Sequence, residues 1–301
     1  MSLRNRLEKN GGEIMKLSVS SYSYSQYINN GKMTQLDCVL RAHEMGFEGI
    51  DFIDLFADTL DGQKELAKRI REECEKYGIV VVAYTIGANL FNGNRDRDLR
   101  EIERLRGQLE VAEILGAKIM RHDICHSLTG EGVGRSFYTM LPTIVENVRA
   151  VADIAADKHI RTCTENHGFI SQDSTRVEAL FAEVGRDNFG LLVDIGNFAC
   201  VDEDSTLAVS RLAPYAIHVH AKDFIKRRFG EAEPTGCIVT RACNLLYGCV
   251  IGEGDIPVAQ CISILKRAGY DGYVTVEYEG GEDCIASISR GRDNLRRMIE
   301  G

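Results

Sequence analysis

No stretch of the 301 residues approaches the roughly 20 consecutive apolar residues that a membrane helix needs, and the N-terminus lacks the apolar core of a signal peptide. The sequence therefore predicts a cytoplasmic protein with no membrane partner, whose ten cysteines sit in a reducing compartment. Those cysteines, among them Cys38, Cys74, Cys163, Cys200 and Cys261, are scattered without paired CxxC spacing, which argues against a zinc ribbon. There is no long basic run, and a formal charge of -9 opposes the phosphate backbone, so no nucleic-acid partner is expected. A GxGxxG fingerprint after the first strand is also missing, which removes the main signal for a doubly wound dinucleotide-binding sheet.

What is present is an ordinary globular composition, 44% hydrophobic and 27% charged, long enough to bury a sizeable core. An amphipathic helix, a glycine and a short apolar strand recur in order: Met45-Gly46 before Gly49 to Ile53, Tyr77-Gly78 before Ile79, Leu115-Gly116 before Lys118, Val184-Gly185 before Phe189, and Ala268-Gly269 before Tyr273. Glycine suits the left-handed residue just past a helix end, so the rhythm reads as βα units. Strands placed this way fall near 16–24, 49–53, 79–86, 118–123, 161–167, 189–195, 216–223 and 273–279. Eight repeats without a composition break predict an α/β fold, a single-domain (β/α)8 TIM barrel over 16–301. Val258, Cys261, Ile262 and Leu265, like Val148, Val151, Ala152 and Ala155, form helical stripes able to face it. Residues 1–15 fit neither period and read as an N-terminal extension or vector-derived segment. Between His220 and a helix starting near Pro257 lie about thirty residues, a long loop after strand seven that reads as a lid. Its Arg227, Arg228 and Arg241 suit a phosphate or carboxylate, or a neighbouring subunit in a homo-oligomer, or solvent.

Active sites of such barrels form at the C-terminal ends of the strands. Four strand ends carry ionisable groups: Thr164-Glu165-Asn166-His167, Val193-Asp194-Ile195-Gly196-Asn197, His218-Val219-His220-Ala221-Lys222 and Val276-Glu277. Glu165 and Asp194 are 29 residues apart and Asp194 and His220 are 26, close to one strand-helix-strand repeat, and His220 to Glu277 is longer because the lid intervenes. Alternation turns His218, His220 and Lys222 inward, opposite Val219 and Ala221. Three converging carboxylates repel one another unless a cation neutralises them, so Glu165, Asp194, His220 and Glu277 are predicted to hold one divalent ion. Oxygen and imidazole donors without thiolate suit Mn2+ first, with Mg2+, Co2+ or Zn2+ as alternatives. His218 lies deeper and reads as a core histidine. His122, His167, Asn197 and Lys222 are the candidate substrate contacts.

The run Glu165-Asn166-His167-Gly168, the phrase Val193-Asp194-Ile195-Gly196-Asn197-Phe198, the stretch His218-Val219-His220-Ala221-Lys222-Asp223-Phe224, and Gly252-Glu253-Gly254-Asp255 ahead of Glu277 together resemble the xylose isomerase-like superfamily, in its sugar phosphate isomerase/epimerase branch. The resemblance covers nearly the whole chain from Lys16. It implies that Glu165, Asp194, His220 and Glu277 bind the metal and that the two glutamates exchange protons with substrate. Ketose 3-epimerases carry a histidine where this chain has Asn197 and an arginine where it has Lys226. The function expected is a metal-dependent sugar or polyol isomerase or epimerase, abstracting a proton next to a carbonyl through a metal-stabilised enediolate. An inosose-type dehydratase with the same metal site is the alternative. A non-catalytic sugar-binding barrel and an AP endonuclease rank below both; Asp51 and Tyr84 do not supply the early-strand histidines of the latter.

Overall fold

The glycines that punctuate the repeat do what their positions require. Gly46, Gly78, Gly116, Gly185 and Gly269 take φ values between 52° and 89°, the left-handed region that ends a helix and turns the chain into the next strand. The computed structural model describes residues 15–126, 136–231 and 233–301. Its barrel strands are β1 (Lys16–Ser20), β2 (Gly49–Ile53), β3 (Val80–Ile86), β4 (Ile119–His122), β5 (Arg161–Glu165), β6 (Phe189–Asp194), β7 (Ala216–Ala221) and β11 (Tyr273–Val276). They pair in parallel and close in the order β1-β11-β7-β6-β5-β4-β3-β2. Residues 1–14 of the expected extension lie outside the described residues, and Met15 is already buried beside β1.

Helices cover the barrel between strands, including Leu60–Tyr77, Arg95–Leu115, Phe137–Ala156, Ser174–Val184 and Val258–Ala268. Thr59 and Asn94 cap two of them, their side-chain oxygens accepting from the amides of Gly62 and Arg97. The two apolar stripes read from the sequence, at Val148 to Ala155 and Val258 to Leu265, are buried in the core. Several strands are shorter than expected. The first stops at Ser20 because that hydroxyl accepts from the Tyr22 amide and starts a 3-10 turn over Ser21–Tyr24. Among the described residues no helix is long and apolar enough to cross a membrane.

The segment after β7 is more ordered than the expected loop. β8 (Asp223–Arg227), β9 (Ile238–Val239) and β10 (Leu245–Cys249) form an antiparallel sheet in the order β8-β10-β9. The Asp223 carboxylate accepts from the amides of Phe224, Gly252, Gly254 and Ile256 and so fastens both ends of the insertion. Leu245, Leu246 and Val250 are buried, so this sheet shares the core. Leu246→Ala should therefore lower stability by about 2–5 kcal/mol in a denaturant titration, the ordinary cost of emptying a leucine site. A change indistinguishable from zero would mean that the sheet is a detachable cover.

Candidate metal centre

Parallel pairing puts the chemistry of four strands at one level. Asp194 pairs with His220 and His220 with Thr275, while Glu165 ends β5 and Glu277 follows β11 directly. Glu165, Asp194, His220 and Glu277 each bring one donor atom to within 4.8 Å of the other three. Three are buried, and Glu277 is the least covered, its side chain 12% exposed.

Each group has a distinct environment. Asp194 Oδ1 accepts from the amides of Gly196 and Asn197, both at 2.8 Å, whereas Oδ2 is buried without a hydrogen bond and has the Lys222 ammonium at 3.3 Å. Burial pushes the Asp194 carboxyl up to about 7; Lys222 opposes the rise, and the charges of Glu165 and Glu277 add to it. Glu165 has both oxygens engaged, Oε1 by the Asn197 amide at 2.8 Å and Oε2 by the Arg121 guanidinium at 2.8 Å. Glu277 Oε2 lies 3.1 Å from His220 Nδ1 and 2.8 Å from Lys222 Nζ. Against burial, these two neighbours hold Glu277 well below the usual carboxylate range.

A cavity of about 250 Å³ opens on this cluster. Glu165, His220, Glu277, Lys222 and His167 line it, joined by Arg121, Asp54 and Glu279. Lys222 is 3.1 Å from Glu279, and the carboxylates of Asp194, Glu277, Glu279 and Glu165 raise its pKa well above normal against the effect of burial. His167 reaches Asp123 through Nδ1 at 2.9 Å, leaving its other nitrogen for the cavity. Asn197 is in the site as a brace for Glu165 and Asp194 and does not line the cavity. His122 does not join them. Alternation along β4 turns Arg121 into the barrel and His122 away from it, fully buried with Nε2 unpartnered. Arg121 is the residue that sequence reasoning passed over; its one sequence signal was a place beside His122 at the C-terminal end of β4. The loop arginines stand elsewhere. Arg241 binds Asp173 and the Phe169 carbonyl, and Arg227 and Arg228 line a separate groove of about 590 Å³.

Residues 39–299 match the xylose isomerase-like TIM barrel family. The chain belongs to that family. Among curated proteins, this xylose isomerase-like barrel is similar to an inosose dehydratase of Clostridium perfringens, 24% identical over 138 residues, which is 46% of this chain and 46% of the relative. The chain thus matches just under half the length of that relative. Among solved structures, it resembles the IOLI protein with a bound zinc atom, with TM-score 0.73, 17% identity and coverage of 95% of this chain and 98% of the other. An L-ribulose 3-epimerase gives TM-score 0.71 and 18% identity, with 95% of each chain covered.

The Arg121-centred ion pairs carry a pH signature. Burial raises the Asp123 carboxyl, but Arg121 at 2.8 Å and the His167 hydrogen bond outweigh it and hold the group at about 2, below its ordinary 3.8. A carboxyl lowered on folding contributes stability above its unfolded pKa and loses it as pH falls through the folded value. Asp123→Asn should remove about 2 kcal/mol at pH 6 but only a few tenths of a kcal/mol at pH 2, where the folded carboxyl is already about half protonated, by urea unfolding across that range. A loss equal at both pH values would contradict the ion-pair assignment.

Proposed function

We propose that this protein is a divalent-metal-dependent isomerase or epimerase of a small sugar or polyol, acting by proton transfer at the carbon next to a carbonyl. The observation that carries the reading is the convergence of Glu165, Asp194, His220 and Glu277, with one donor atom from each within 4.8 Å of the others. The donor set fits a cation: Asp194 Oδ2 is buried and lacks a hydrogen bond, and the two cations beside the three carboxylates, Lys222 and Arg121, are each shared with a further carboxylate, Glu279 and Asp123. Those four residues would hold the ion, with Mn2+ the first choice for an oxygen-rich site and Mg2+, Co2+ or Zn2+ as alternatives. When bound, it supplies positive charge beside the oxyanion that develops as a carbonyl enolises.

The chain's own groups do the rest. Glu277 makes both of its contacts through Oε2, so Oε1 is available to take the proton from the substrate carbon. Glu165 is the candidate for the opposite face, and it must loosen from Arg121 or Asn197 to accept a proton. Lys222, held protonated, and His167 can each donate to substrate oxygens in the cavity. The zinc-containing and epimerase structures described above support this reading through shared fold alone.

A second reading, dehydration of the inosose type, has a specific observation in its favour: the similarity to the Clostridium perfringens inosose dehydratase. It uses the same proton abstraction followed by loss of a β-hydroxyl, for which Lys222 is a placed acid. Incubation with a ketoinositol separates the two, because a lyase gives an irreversible change in absorbance and an epimerase returns isomeric sugars.

Purified protein should carry about one divalent ion per chain by elemental analysis. No ion even after addition of Mn2+ would remove the metal reading, and with it the separation from a sugar-binding barrel; two or three zinc ions would favour the endonuclease architecture. Glu165→Gln and Glu277→Gln should each block solvent-deuterium wash-in from one face while weakening metal binding only partly. Asp194→Asn should mainly lower metal affinity, so excess Mn2+ restores its activity and little of the glutamine variants'. Equal rescue of all three would reduce the glutamates to ligands.

A further inference from the structure

Beneath the four proposed ligands lies a second polar group that the reaction above does not use. Asp51, in the middle of β2 and fully buried, places Oδ2 2.7 Å from His220 Nε2 and 3.1 Å from His218 Nε2. β2 and β7 are not neighbours in the barrel order, so this carboxylate spans the interior to reach both rings. Thr275 Oγ1 lies 3.1 Å from His218 Nε2 and 2.6 Å from Ser18 Oγ, which continues the hydrogen-bonded chain to β1.

We propose that Asp51 is a positioning residue for the metal centre: by accepting the Nε2 proton of His220 it fixes that ring with the Nδ1 lone pair facing the carboxylates. The inference rests on the metal reading above. Its logic is the bookkeeping of one imidazole. A neutral ring carries one N–H, and Asp51, an ionised acceptor at 2.7 Å, claims it at Nε2. Nδ1 lies 3.1 Å from Glu277 Oε2, a contact that either a second ring proton or a cation makes attractive; an ion takes the place of that proton while the one at Nε2 stays on Asp51. The carboxylate thus selects the tautomer that can ligate, orients the ring and makes it more basic, as hydrogen-bonded partners of metal-bound histidines generally do. His218, itself 3.1 Å from Thr275 Oγ1, in turn holds Asp51 Oδ2 from a second direction.

The same atoms admit a rival. Asp51, His218 and His220 also bring donor atoms within 4.8 Å of one another, close enough for an ion of their own. That arrangement needs a lone pair on His220 Nε2, which moves the proton to Nδ1 and takes His220 out of the four-residue centre. A neutral His220 can serve one centre or the other, so the two readings give different stoichiometries and different ring nitrogens.

The test is Mn2+ titration of metal-free wild type and Asp51→Asn by calorimetry, with 15N-histidine spectra of the Zn2+-loaded wild type. The expected result is one ion per chain in both proteins, with affinity about 10–100-fold weaker in the variant, and a His220 ring protonated at Nε2 and bound through Nδ1. An affinity within twofold of wild type would overturn the positioning role and leave the metal reading standing. Two ions in wild type and one in the variant would make Asp51 a ligand instead. A His220 ring bound through Nε2 would overturn the proposal without any variant, so it stays testable even if Asp51→Asn does not fold. Wild type that takes up no ion would bring down the metal reading and this inference together.

Discussion

Three carboxylates held in the dry end of a barrel repel one another, and much of the polar architecture around them answers that repulsion. Arg121 stands against Glu165, Lys222 stands among Asp194, Glu277 and Glu279, and Asn197 adds an uncharged donor to Glu165. Each counter-group is itself buried, so none could be lost without leaving an uncompensated charge in low dielectric. Asp194, the most deeply buried of the three, is pushed up to about 7 by burial first and then by the charges of Glu165 and Glu277.

The two glutamates, alike in the sequence, differ in the fold. Glu165 is clamped at both oxygens by groups on β4 and after β6, whereas Glu277 is gripped at one oxygen and is the more exposed. If both serve as proton acceptors, they do so with unequal freedom. Glu277 can act in place, and Glu165 must first give up a charged hydrogen bond.

The barrel was legible because its determinants are local. Glycine after a helix, an apolar run of five or six residues and a helical stripe each lie within one repeat, and the strand positions followed to within a few residues. The convergence of Glu165, Asp194, His220 and Glu277 was legible for the same reason, since repeat spacing sets their level. What escaped notice depends on partners far away in sequence. Asp51 is 169 residues from His220. His122 was read as a candidate contact without Arg121 being weighed; strand parity in β4 distinguishes the two, and a four-residue strand offers too little alternation to read. The insertion after β7 read as a loop because its strands are short and its apolar residues, Leu245 and Leu246, stand among glycines, a proline and charges.

That insertion ties together more than its own ends. Asp202, just beyond β6, accepts from Thr240, Ala242 and Asn244 within it, and Arg241 grips Asp173 and the Phe169 carbonyl beyond β5. The exits of β5, β6 and β7, which deliver Glu165, Asp194 and His220, are therefore cross-braced through one piece of chain. With the exits joined in this way, the amides of all three are expected to exchange as one cooperative unit, so that the geometry of the cluster is lost or kept as a whole.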